Sequence, residues 1–189
     1  MKFSFSVDES LRVGIKRLAP ILGFEIGEGG ISVDAVLGDR AGIVRDGDHA
    51  TIYHRNRAEF FRELGLLCEH IGEEKVEIFE DTAFRELSVM VDTARFGVPT
   101  VETLCHLCDR IVLMGYSALL LYIEDNVLID GYSYFGYMRG RYTPEELRAI
   151  DDYAYEYGIE VIGCIECYAH MERYLFWGNT EIRDRKSVV

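Results

Sequence analysis

The chain has 189 residues, 49% hydrophobic, 12% aromatic and 28% charged, a composition that buries a core and excludes a disordered or fibrous chain. Lys and Arg number 20 against 33 Asp and Glu, a formal net charge of -13 that repels phosphate backbones and anionic lipid, so no nucleic acid and no membrane surface is expected as a partner. The longest nearly uncharged run, Ile111 to Ile123, is broken by Gly115 and Ser117 and is too short to span a bilayer. The N-terminus turns acidic at Asp8 without an apolar signal region, and a cytoplasmic protein is expected.

Alternation in Lys2-Phe3-Ser4-Phe5-Ser6 predicts a short strand, after which Asp8 is positioned to cap a helix carrying Leu11, Val13, Ile15, Leu18 and Ile21. Gly27, Gly29 and Gly30 break the chain before a strand over 31–36; the spacing does not match a phosphate-binding G-x-G-x-x-G after a strand. The turn-like Arg45-Asp46-Gly47-Asp48 precedes a second strand over 50–54, and Phe60, Phe61, Leu64, Leu67, Cys68 and Ile71 recur at helical spacing over 57–71. Residues 1–85 therefore read as a small α+β domain.

From residue 86 the pattern becomes regular. A strand over 87–91 leads to a helix that begins at Pro99-Thr100, with Glu102 in its first turn, and stops at Gly115. Ala118 to Ile123 is nearly all apolar, as a parallel strand covered on both faces should be. After a loop of roughly twenty residues, Thr143-Pro144-Glu145-Glu146 opens a helix with a capping box and proline at its first position; it ends at Gly158, before a third strand over 159–165. Strand, helix, strand, helix, strand is a parallel array with right-handed crossovers. An open doubly wound sheet would carry a glycine-rich turn after its first strand, where this chain has Asp92-Thr93-Ala94-Arg95-Phe96-Gly97. A (β/α)8 barrel needs ~250 residues, and the roughly 100 after residue 85 hold about three of eight units. The fold class expected is α/β: a small α+β domain over 1–85, then an incomplete barrel over 86–189.

The five cysteines include two close pairs, Cys105/Cys108 and Cys164/Cys167. The gap between pairs exceeds that of a zinc ribbon, one pair lies in a predicted helix, and both have apolar flanks. They read as small buried hydrophobes, with no metal, cofactor or disulfide framework expected.

Ligand sites of parallel α/β folds lie beyond the carboxyl ends of the strands. Those ends deliver Asp92 and Arg95, then Glu124 and Asp125, then Glu166, Cys167, His170 and Glu172. The long loop adds Tyr132, Tyr134, Phe135, Tyr137 and Tyr142 with Arg139 and Arg141. Aromatic faces and planar donors suit a sugar; the same residues also suit a loop that packs its own rings.

Residues 88–182, with Tyr122-Ile123-Glu124-Asp125 at the second strand end and the Y-F-G-Y-M-R-G-R-Y loop over 134–142, resemble the start of the catalytic barrel of glycoside hydrolase family 20, the exo-β-N-acetylhexosaminidases. The first 85 residues resemble the small domain preceding that barrel. The resemblance implies that Arg95 hydrogen-bonds outer hydroxyls of a terminal N-acetylhexosamine. It implies that Glu124-Asp125 is the acidic pair, and that His170 links that pair to the general acid. It also implies substrate-assisted catalysis, the exception to the two-carboxylate scheme, in which the sugar's acetamide oxygen attacks the anomeric carbon. Two departures stand out: Glu-Asp replaces Asp-Asp, and Tyr168-Ala169 replaces Pro-Gly before the histidine. They leave open which of Glu124 and Asp125 faces His170. The family's Asp-Glu catalytic pair follows a fourth strand. The expectation is thus an N-terminal portion, truncated near Asp184, inactive alone and self-associating through its unfinished barrel. Two alternatives are a complete non-catalytic α/β module binding a carbohydrate or small ligand, and a metal-bound module using the cysteine pairs with His170.

Overall fold

Phe3 and Phe5 alternate with serines and point to one side of β1 (Lys2–Ser6), where Phe3 is fully buried. The structure, a computed structural model, describes residues 1–95 and 97–165. The Asp8 side chain accepts from the Ser10 amide and starts α1 (Glu9–Leu22), which stops at Gly23. There follow β2 (Glu25–Ile26), β3 (Ile31–Leu37), β4 (Ala41–Asp46), β5 (His49–His54), the Asn56-capped α2 (Arg57–Glu69) and β6 (Lys75–Glu80). They form a six-stranded sheet of order β2-β1-β3-β5-β4-β6, with β4 antiparallel to both its neighbours.

Sequence reading missed β2, β4 and β6, and the reasons are physical. β4 carries Arg45, 9% exposed, on its core side, where the guanidinium donates to the carbonyls of Gly47 (3.0 Å) and Ile71 (2.7 Å); that cation disguises the strand as a turn. Gly42 in the same strand is dictated by close approach, since a Cβ there would lie 2.3 Å from the Ile78 carbonyl oxygen and 2.6 Å from the Phe79 ring. β6 alternates Val76 and Ile78 with charged residues, as an edge strand does, and β2 is too short to carry a pattern.

The second sheet follows the predicted array closely. β7 (Ser88–Asp92), β8 (Ala118–Ile123) and β9 (Glu160–Ile165) are parallel, in that order. The connections are α3 (Val101–Leu113), capped by Thr100, and α4 (Pro144–Tyr155), with both halves of the Thr143/Glu146 capping box formed. Asp92, Tyr122 and Cys164 share one register line across the sheet. Leu119, Leu121 and Ile123 of β8 join Leu104, Ile111, Val112, Ile150 and Ala154 of the two helices in one apolar cluster.

That cluster also takes in Phe3, Ile52, Phe61 and Leu64, so the helices of the two sheets share a core. Phe61 of α2 meets Tyr157 edge-to-face at 5.1 Å. Buried Asp109 of α3 accepts from the hydroxyls of Tyr153 (2.8 Å) and Tyr157 (2.6 Å), and Arg17 of α1 lies 3.7 Å from the Tyr153 ring centre. The boundary expected at residue 85 lies in the segment between β6 and β7. No helix among the described residues is long and apolar enough to cross a membrane.

Candidate functional site at the carboxyl ends of β7 and β8

Parallel strands bring their carboxyl ends to one rim, and here the ends of β7 and β8 are tied side by side. The amide and the hydroxyl of Thr93 both donate to the Tyr122 carbonyl, at 3.1 and 2.8 Å. Asn126 is completely buried, and its Nδ2 donates to Thr93 Oγ1 (2.9 Å) and the Thr93 carbonyl (3.3 Å). These bonds lock the turn after β7 against the turn after β8.

Asp92, the last residue of β7, accepts from the Ala94 amide at 3.0 Å and from Arg95 at 2.7 Å. Burial opposes its ionisation, but the Ala94 amide and the Arg95 guanidinium outweigh that and hold its carboxyl below the usual range. Arg95 is exposed, its Cζ 5.2 Å from the Tyr122 ring centre, and it feels the charge of Glu124. The Asp92–Arg95 pair therefore offers acceptors and donors to solvent on a fixed frame.

Glu124 and Asp125 follow β8 and are 8% and 6% exposed. Arg139 comes back from the far end of the loop to sit against them, 2.5 Å from Asp125 Oδ1 and 3.9 Å from Glu124 Oε2, while its other terminal nitrogen donates to the Ala94 carbonyl. Asp125 holds the shorter contact, which leaves Glu124 the less committed carboxylate. Gly136 permits this closure: its φ is 67° and a Cβ would sit 2.1 Å from the Asp125 carbonyl oxygen.

The loop over 124–142 thus does something other than hand all its donors to a ligand. Arg139 holds the acidic pair, and Arg141 donates to the carbonyls of Ser133 (3.4 Å) and Phe135 (3.0 Å). Tyr142 is buried, its hydroxyl donates to the Pro99 carbonyl at 2.5 Å, and burial pushes its phenol up to about 12. Tyr132 and Tyr137 remain exposed, with Tyr134 and Tyr137 paired at 5.4 Å.

Of the residues expected at the site, Arg95, Glu124 and Asp125 lie at the ends of neighbouring strands, linked through Arg139 and Ala94. His170, Glu166, Cys167 and Glu172 lie outside the described residues. Asn126 went unnoticed in the sequence, although an amide directly after an acidic pair at a strand end is the available signal. Among the described residues no group of three or more His, Cys, Asp or Glu could hold a metal ion. Cys105, Cys108 and Cys164 are free thiols, and burial pushes Cys108 up to about 12.

No family model matches this sequence, and no curated protein matches it. Solved structures do. The GH20 β-N-acetylhexosaminidase of Streptomyces coelicolor A3(2) matches 93% of this chain with a TM-score of 0.75 at 22% identity. The chain has the fold of that family 20 hexosaminidase over the stretch it covers. The Streptomyces plicatus N-acetyl-β-hexosaminidase in complex with Thio-NAglucal matches 91% of the chain (TM-score 0.72, 23% identity). The GH20 exo-β-N-acetylglucosaminidase of Vibrio harveyi, in complex with N-acetylglucosamine, matches 92% (TM-score 0.73, 15% identity). The chain spans 44%, 43% and 34% of the lengths of these three hexosaminidases.

Proposed function

We propose that this chain is the amino-terminal part of a β-N-acetylhexosaminidase of the family 20 type, with a small α+β domain over 1–85 and the first three βα units of a (β/α)8 barrel over 86–189. The observation that carries the reading is the joined rim of β7 and β8, where Asp92, Arg95, Glu124, Asp125 and Arg139 gather beyond parallel strand ends. The fold shared with hexosaminidases supports it. Arg95 takes the outer hydroxyls of a terminal N-acetylhexosamine. Glu124, the less committed of the pair, is the carboxylate we assign to the relay with His170. The acetamide oxygen of the sugar attacks the anomeric carbon while a glutamic acid protonates the leaving oxygen, and a neighbouring aspartate steadies the oxazolinium-like intermediate. That acid and that aspartate belong to a fourth strand outside these 189 residues. A cytoplasmic setting goes with this reading.

The test is hydrolysis. The purified chain releases no 4-nitrophenol from 4-nitrophenyl N-acetyl-β-D-glucosaminide above the buffer rate; turnover would overturn the placement of the acid beyond this chain.

Self-association belongs to the same proposal. Among the described residues the outer edge of β7 pairs with no strand, and Met90 is 56% exposed. Light scattering should give a mass at least twice the 21.6 kDa of one chain. A monodisperse monomer contradicts this and favours a complete binding module.

A further inference from the structure

The loop after β8 turns back at Gly136-Tyr137-Met138-Arg139, where the Arg139 amide donates to the Gly136 carbonyl at 3.1 Å. Met138, third in this turn, has a φ of 59° and is the one non-glycine residue in the left-handed region among the described residues. Glycine or asparagine normally takes such a position, because a larger side chain crowds the backbone there. The turn therefore gives no reason for a methionine. Packing within the chain gives none either, since Met138 is 85% exposed, the most of any large apolar residue described.

The Tyr137-Met138 pair is bracketed by two contacts with Asp125. Gly136 lies against the Asp125 carbonyl oxygen, which a Cβ would approach to 2.1 Å, and Arg139 grips the Asp125 carboxylate. The pair is thus held at the rim of β7 and β8, beside the acidic residues. Tyr137 is 44% exposed, its ring 5.4 Å from that of Tyr134. The neighbouring guanidinium groups are engaged: Arg139 with Asp125 and the Ala94 carbonyl, Arg141 with the carbonyls of Ser133 and Phe135. What the pair offers is a thioether and a ring, soft apolar contacts that suit another aromatic group better than the hydroxyls of a second sugar.

We infer that Tyr137 and Met138 form the contact for an aryl group carried by the sugar that occupies this rim. The contact rests on the rim holding a terminal N-acetylhexosamine, as proposed, and specifies the group attached to that sugar: flat, apolar and without need of a donor. A methionine repays its strained position in the turn because its thioether packs on an aromatic ring, which neither glycine nor asparagine can do.

Amide shifts of the full isotope-labelled chain, titrated with methyl and with phenyl N-acetyl-β-D-glucosaminide, test this. Both glycosides should shift residues 92–95 and 124–126, and the phenyl glycoside alone should also shift 137 and 138. Its affinity should be about 5-fold the higher. Met138→Ala, which removes the thioether from an exposed position, should cut that preference below ~2-fold. Phenol at the same concentrations should leave 137 and 138 unmoved. Equal affinities, a preference that survives Met138→Ala, or shifts at 137 and 138 with phenol would each overturn the aryl contact while leaving the sugar reading in place, and would give the exposed loop face to a second copy of the chain or another protein. If neither glycoside binds, the sugar reading falls and the aryl contact falls with it.

Discussion

Replacing Arg139 by alanine should lower the stability of the chain by about 3–5 kcal/mol, because it strands two nearly buried carboxylates. Arg139 is the cation that contacts both Glu124 (3.9 Å) and Asp125 (2.5 Å), and its side chain is itself 18% exposed. Removing one partner of such a cluster leaves uncompensated charge in low dielectric, which costs far more than the intact pair contributes. The same guanidinium also donates to the Ala94 carbonyl, so the turn after β7 loses its tie to the loop after β8. Thermal unfolding followed by circular dichroism should show a fall in Tm of ~6–20 °C for a chain of this size. Asp125→Asn in the Arg139→Ala background should recover part of the loss, since it removes the closer stranded charge. A fall below ~2 °C would mean that the acidic pair is solvated and that Arg139 holds nothing in place.

As pH rises from about 4.5 to about 8 the chain should weaken through Glu63. Burial first, then the neighbouring Glu80 charge, raises this carboxyl from 4.5 to about 8 in the folded state. The folded protein thus holds a proton that the unfolded chain releases, and stability falls with rising pH wherever the folded state binds more protons. The contribution of the protonated group is fully present below about pH 4.5 and is lost as pH rises through about 8. Integrated over that window it is on the order of 5 kcal/mol. Urea unfolding at about pH 5.5, 7 and 8.5 should show it as a declining midpoint, and Glu63→Gln, which keeps the shape but cannot ionise, should flatten that decline. A wild-type midpoint as high at the alkaline end as at the acid end would contradict the burial of this group.

The regular half of the fold was legible because its punctuation is local. Thr143-Pro144-Glu145-Glu146 caps α4, Gly115 ends the turn after α3, and the apolar run Ala118 to Ile123 is β8 residue for residue. β4 was not legible, since Arg45 faces the core and finds its partners, the carbonyls of Gly47 and Ile71, only in the folded chain. The same distinction runs through the rim. Arg95, Glu124 and Asp125 follow from strand ends alone, which any parallel array places together. The grip of Arg139 on Asp125 depends on how a loop of roughly twenty residues closes, and no local spacing encodes that. Glu63 lay in plain view, on the helical face shared by Phe60 and Leu67, but a glutamate in a helix reads as solvent-facing until its neighbours are in place.

Amide chemical shifts recorded while N-acetylglucosamine is titrated into the isotope-labelled chain test whether the rim of β7 and β8 holds a sugar, because they locate the ligand as well as detect it. The shifting amides should be those of residues 92–95 and 124–126 together with Arg139, and Arg95→Ala should weaken the response at least ~10-fold through loss of a charged hydrogen-bond donor. Shifts confined to other parts of the chain, or a titration that Arg95→Ala leaves unchanged, would contradict it.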